Sequence, residues 1–184
     1  SVKANGATIA VAADGISVST LPAGSVASAQ LGIIDAYMVD KNGTNQDCVV
    51  VGGAGGAYDI VWNTAAPVYE LGSGIFPTTS QYTPKVAGLW YFECSITTLS
   101  MATNIRTNLN MKKDTVLVAQ CNGDPLSSAL NSERTLKVAC IVNMNGSSDS
   151  IGYQVQFANA DGTYTIYGAT YSSYMYGFFI GKIS

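Results

Sequence analysis

Apolar positions recur with a period of two along most of this chain, and the clearest run lies between Gly88 and Leu99. Trp90, Phe92, Cys94, Ile96 and Thr98 fall on one face of an extended strand, and Leu89, Tyr91, Glu93, Ser95 and Thr97 fall on the other. Successive side chains of a strand point to opposite sides, so the first set predicts a core face. The second set holds Leu89 and Tyr91 and is too apolar for ordinary solvent surface. Either a neighbouring subunit buries it, or the sheet exposes a few apolar residues, as many proteins do. Pro84 and Gly88 bracket the turn that leads into this strand.

The same pattern predicts further strands on both sides. Gln30 to Asp40 brings the first large apolar residues, Leu31, Ile33, Ile34, Tyr37, Met38 and Val39. A turn at Lys41 to Thr44 precedes a strand over Cys48 to Val51, which stops at Gly52, Gly53, Gly55 and Gly56. Those glycines lack both GxGxxG spacing and a Lys-Ser/Thr ending, so they predict close backbone approach and no phosphate cradle. Tyr58 to Ala65 and Val68 to Phe76 are expected as a pair of strands, with Pro67 and Pro77 at their ends because proline cannot donate to a ladder. Ile105 to Met111 and Thr115 to Cys121 form a hairpin around Lys112-Lys113-Asp114, with the lysine pair in a solvated turn. Thr135 to Met144 and Ile151 to Phe157 follow, joined by a turn at Asn145 to Ser147. Asp161-Gly162 turns again. Asn122 to Arg134 is the longest polar connection, the kind of loop that carries binding specificity on a rigid head. Six of the eleven tyrosines lie at Tyr153, Tyr164, Tyr167, Tyr171, Tyr174 and Tyr176. Rings at that density serve an interface or a ligand surface, and the interface weighs more.

Ser1 to Ile34 is different material. It has two charges, Lys3 and Asp14, and almost no large side chains. Turn signals at Asn5-Gly6, Asp14-Gly15 and Ala23-Gly24 separate short β-like runs at Ala7 to Ala12 and Ile16 to Thr20. Strands this small make no core alone; they predict an extended arm or shaft, with a flexible linker as the alternative.

Composition narrows the function. Only 11% of the 184 residues are charged, against a usual figure of about 25%. The net charge is −3 and the nine basic residues are scattered, which argues against nucleic-acid binding. No apolar run is long enough to cross a bilayer, and no signal-peptide pattern opens the chain. Ser1 in place of Met leaves room for a longer N-terminal region.

There is no histidine, which removes Ser-His-Asp and Cys-His nucleophilic arrangements and histidine metal sites. Cys48, Cys94, Cys121 and Cys140 show no metal-ligand spacing; they are expected to be reduced, with one inter-strand disulfide as the alternative. Most acids sit in or beside predicted turns, where Asp caps backbone. Glu93, mid-strand, is the exception, and its expected role is a hydrogen-bonded or rim carboxylate, not a catalyst. The Asp/Asn-rich loops have no EF-hand spacing. No enzyme, cofactor or metal site is expected.

The run YTPKVAGLWYF, Tyr82 to Phe92, resembles the signature of the globular head of the first complement component and of its relative tumour necrosis factor. Tyr176-Gly177-Phe178-Phe179-Ile180 is similar to that family's last strand. The resemblance covers roughly Asp35 to Ser184. It implies an all-β jelly-roll sandwich of about ten antiparallel strands that assembles as a trimer. Carried over strand by strand, it implies that Leu89, Tyr91, Met175 and Phe179 face the trimer axis while Trp90, Phe92, Tyr176, Phe178 and Ile180 fill the sandwich. Residues 1–34 resemble the Gly-punctuated repeats that precede the heads of bacteriophage tail-fibre proteins.

The resulting expectation is a non-enzymatic bacteriophage structural protein on the virion surface. It would be a homotrimeric fibre or decoration protein, with residues 1–34 attaching to other virion proteins and residues 35–184 forming the head. Two alternatives stand beside it: a tail-fibre head binding a host glycan or receptor, and a secreted ligand of the complement-head type.

Overall fold

The long alternating run becomes the longest strand of the protein. The computed structural model describes residues 2–4, 7–12, 15–17, 35–51, 55–65, 67–72, 74–101, 105–124, 132–158 and 161–182. The chain divides into two compact units, Ser1–Ile33 and Ile34–Ser184. In the first, β1 (Val2–Ala4), β2 (Ala7–Ala12) and β3 (Gly15–Ser17) form an antiparallel sheet in that order. Ala4 pairs with Ala7 across the position of Asn5-Gly6, the two-residue hairpin signal. The remainder of that tract, including residues 18–20 and 30–34, lies outside the described residues.

The second unit contains β4 (Ala36–Asp40), β5 (Gln46–Val50), β6 (Gly56–Asp59), β7 (Tyr69–Leu71), β8 (Ile75–Thr78), β9 (Gln81–Thr83), β10 (Gly88–Met101), β11 (Arg106–Lys113), β12 (Val116–Gly123), β13 (Ser132–Met144), β14 (Ile151–Ala158), β15 (Gly162–Ile166) and β16 (Tyr174–Gly181). Every pairing is antiparallel. One sheet runs β5-β15-β10-β16-β4-β7, with β13 also on β10; the other runs β12-β11-β14-β9-β8, with β6 also on β14. Strand β10 is bonded on both edges: β13 follows one from Gly88 to Met101, while β16 and then β15 share the other.

The core lies between the sheets. Trp90, Phe92, Cys94, Ile96 and Thr98 are all fully buried there, as the alternation predicts. Trp90 stacks on Phe92 at 5.8 Å, and its indole N–H donates to the Val86 carbonyl at 2.9 Å. Tyr37 of β4 stacks on Tyr82 of β9 with ring centroids 3.7 Å apart. Gly88, at φ 141°, begins β10 where a side chain would strike the Gly181 carbonyl oxygen, so only glycine permits this turn.

Three strand expectations are corrected. Tyr58 to Ala65 is not one strand: β6 ends at Asp59, Ile60 N–H makes one more bond to the Tyr153 carbonyl of β14 at 2.9 Å, and Trp62 N–H bonds the Thr79 carbonyl instead. Val68 to Phe76 splits into β7 and β8, which join opposite sheets. Pro77 lies within β8 and not at a strand end; β8 is a sheet edge, where a missing N–H costs no ladder bond. The lysine pair is likewise not a solvated turn, which falls instead at Asp114-Thr115. Lys112 and Lys113 end β11, with Lys112 donating to Gln154 Oε1 at 2.8 Å and Lys113 paired to Asp149 at 2.6 Å. All four cysteines carry free thiols. Residues 52–54 of the glycine loop and 125–131 of the Asn122 to Arg134 connection lie outside the described residues.

Candidate subunit interface

The outer face of the β13-β10-β16-β4 sheet is laid out in rows by the strand register. Ile141, Tyr91, Phe178 and Ala36 lie side by side; the next row is Ala139, Glu93, Tyr176 and Met38; the next is Lys137, Ser95, Tyr174 and Asp40. Directly opposed side chains in an antiparallel pair are in contact range, so each row is a continuous strip. The face therefore grades from apolar at one end to polar at the other.

The rings form a layer. Tyr91 stacks on Phe178 at 5.1 Å, and Tyr176 stacks with Phe178 and with Tyr174 at 6.5 and 6.1 Å. Under them sits Glu93, only 4% exposed. It accepts hydrogen bonds from the Tyr91 hydroxyl at 2.7 Å and the Tyr174 hydroxyl at 3.2 Å, and pairs with Lys137 Nζ at 2.6 Å. Burial pushes the Glu93 carboxyl up, but the Lys137 and Tyr91 hydrogen bonds outweigh it and hold the group below its ordinary value. The bond to Glu93, with burial added, raises the Tyr91 phenol, and burial chiefly raises Tyr176. The carboxylate is thus held ionised at neutral pH as the acceptor for its neighbours. A group so saturated with donors is a poor general acid.

The apolar end of the face is left open. Ile141 is 57% exposed, Ile180 48% and Phe178 41%. These side chains lie on one face of the sheet, a patch of the kind that marks an interaction site.

The expected axis residues divide. Leu89 and Tyr91 lie on this outer face, both half-buried. Met175 and Phe179 do not: Met175 is fully buried in the sandwich, and Phe179 packs edge-on to Trp90 at 5.8 Å. Conversely Tyr176, Phe178 and Ile180, expected in the core, face outward. The cause is Gly177. It is paired with Phe92 and Tyr37, whose rings would stand 2.6 and 2.8 Å from any added Cβ, so the inward position of β16 must be empty to admit them. That places Met175 and Phe179 inside with Gly177. Phe178, Ile141 and Lys137 are the interface candidates that sequence reasoning missed, while Tyr174 and Tyr176 stand here as their tyrosine density suggested; the parity of Gly177 is the signal that could have placed Tyr176 and Phe178 outward.

No family model and no curated protein matches the sequence. Solved structures do match in fold. Eiger, a tumour necrosis factor from S. frugiperda, is 11% identical, with 82% of this chain and 95% of that one covered at a TM-score of 0.54. Murine APRIL at pH 8.5 is 10% identical and at pH 5.0 is 9% identical; in both, 80% of this chain and 99% of that one are covered, at TM-scores of 0.54 and 0.55. At such identities the likeness is one of fold. The second unit of this chain has a jelly-roll fold like that of those structures.

Proposed function

We propose that the protein is a non-enzymatic homotrimer whose subunits meet on the outer face of β13-β10-β16-β4, and that it serves as a fibre or decoration protein of a bacteriophage particle. One observation carries the assembly: an aromatic layer over a buried carboxylate, ending in an open strip of Phe178, Ile180 and Ile141. A second copy is the occupant that the resemblance to trimeric heads implies, and a patch repeated around an axis closes on itself. The phage assignment rests on the low charge, the missing histidines and the small-residue tract before the head.

Sedimentation equilibrium of the full chain is the test. Trimers would weigh three times 19.2 kDa, and Phe178→Lys would yield monomers or aggregates, since a desolvated lysine without a partner opposes closure. A monomeric wild type sinks the assembly, and a well-behaved Phe178→Lys trimer shows that another face is used. Gold-labelled antibody on intact particles tests the location. A trimer that never labels particles favours the second reading, a secreted ligand, for which the fold likeness to Eiger and APRIL speaks.

A further inference from the structure

A cavity of about 450 Å³ opens elsewhere on the head, lined by Lys41, Asn42, Thr44, Asn45, Gln46, Val61, Trp62 and Asn63. Two segments, 41–46 and 61–63, build its walls. Lys41 follows β4 and is 3% exposed. Its ammonium donates to the Val61 carbonyl at 2.7 Å and to Gln46 Oε1 at 3.2 Å. Gln46 also accepts from Val61 N–H and donates to the Asp59 carbonyl. Asn45 Oδ1 holds Gly168 N–H, and Asn63 N–H donates to the Asp40 carbonyl. The floor is rigid because backbone groups from distant parts of the chain all bond into it.

The charge in this cavity is unbalanced. Both acceptors of the Lys41 ammonium are neutral, which leaves one of its three N–H groups uncommitted. None of Asp40, Asp47 and Asp59 pairs with the ammonium; the Oδ1 atoms of the three accept from Asn42 N–H, the Thr165 hydroxyl and the Gln154 amide in turn. Among the described residues the ammonium forms no ion pair. The Trp62 indole N–H is buried and has no acceptor. A buried cation without a counter-ion is costly, and an anionic group placed against it removes that cost. Around it stand neutral amide and hydroxyl groups on Asn42, Thr44 and Asn63, which suit a ligand with many hydroxyls. A single cation matches a monoanion better than a phosphate dianion.

We propose that this cavity binds an acidic sugar, with the carboxylate on Lys41 and the sugar hydroxyls on the asparagine and threonine rim. Its volume is in the range of small-ligand sites, roughly 300–1,000 Å³, and suits one or two sugar units. The residues that line the site all come from one subunit.

Ligand-observed NMR titration of the full chain with glucuronic acid and with glucose tests it, at pH 7. Glucuronate binding at least about tenfold tighter than glucose is expected. Lys41→Met, which keeps the apolar stem, abolishes that preference. Thr44→Glu, which places a carboxylate on the exposed rim, does the same without touching the floor. Between pH 7 and 9 the wild-type affinity falls about tenfold as Lys41 loses its proton, with Cys48, the thiol beside it, still neutral because burial pushes it up to about 11. Equal affinity for the two sugars, binding of neither, or an undiminished preference in Lys41→Met overturns the proposal. Sedimentation of the same samples reads the assembly separately, so a failure here is distinct from a failure of the trimer.

Discussion

Replacing Lys41 by Met gives a stability change whose size depends on pH. Burial pulls the Lys41 ammonium from 10.5 to about 8, so over that interval the unfolded chain binds more protons than the folded one, and stability rises with pH there. Below pH 8 the folded protein carries the whole penalty, 2.5 pKa steps or about 3 kcal/mol; above 10.5 it carries none. Met removes the penalty but also removes the bonds to Val61 O and Gln46 Oε1, about 1.5–3 kcal/mol each for a charged donor. The stability of the variant relative to wild type therefore falls as pH rises from 7 to 10. The difference between the two proteins shifts by about 2–3 kcal/mol across that window.

Urea unfolding followed by tryptophan fluorescence at pH 7, 8, 9 and 10, at one protein concentration, measures this shift. The other titrating groups, the tyrosines above all, are common to both proteins and cancel in the difference. A pH-independent difference would refute the reasoning, because it would mean that Lys41 titrates alike in the folded and unfolded chains.

Three other outcomes are expected. Gly177→Ala drives a methyl into Phe92 and Tyr37 and destabilises the fold by about 1–3 kcal/mol or more, read as a lower urea midpoint. Phe92→Ala empties the centre of the core and costs about 3–5 kcal/mol in the same assay. Glu93→Gln removes a carboxyl held below its ordinary value, so the stability that ionised Glu93 gives is present above pH 4.5 and lost as pH falls below it; the gap between wild type and variant narrows in acid, and a gap constant from pH 7 to 3 contradicts the hydrogen-bonded carboxylate.

Alternation made much of the sandwich legible. The inward set of β10 follows from period two alone, because a strand offers only two faces. The β11 pattern of Ile105, Thr107, Leu109 and Met111 is equally plain, and all four are buried. What alternation cannot supply is which face of an all-apolar strand turns inward. Met175 to Ile180 reads as apolar on both sides, and large rings were expected in the core; the constraint that settles it is the space Gly177 cedes to rings from two other strands. Irregular segments were also hidden. Residues 60–65 are as apolar as a strand, yet they lie outside any strand while Ile60 and Trp62 plug the sandwich. Lys41 reads as a turn residue beside Asn42-Gly43, and only the packing of residues 61–63 against its own segment makes it a buried cation.

The position of β16 has a consequence for how the head is made. It lies between β10 and β4, with Met38 opposite Tyr176 and Glu93 on its other side. The first and last strands of the unit are thus neighbours in the middle of a sheet. Before β16 docks, β4 and β7 have no ladder connection to β10, so the sheet exists as two separate pieces with bare edges. Closing it requires a contact spanning nearly the whole unit, which slows folding and exposes strand edges meanwhile. Folding of this head is therefore completed by its last strand, and truncation within β16 divides the sheet instead of trimming it.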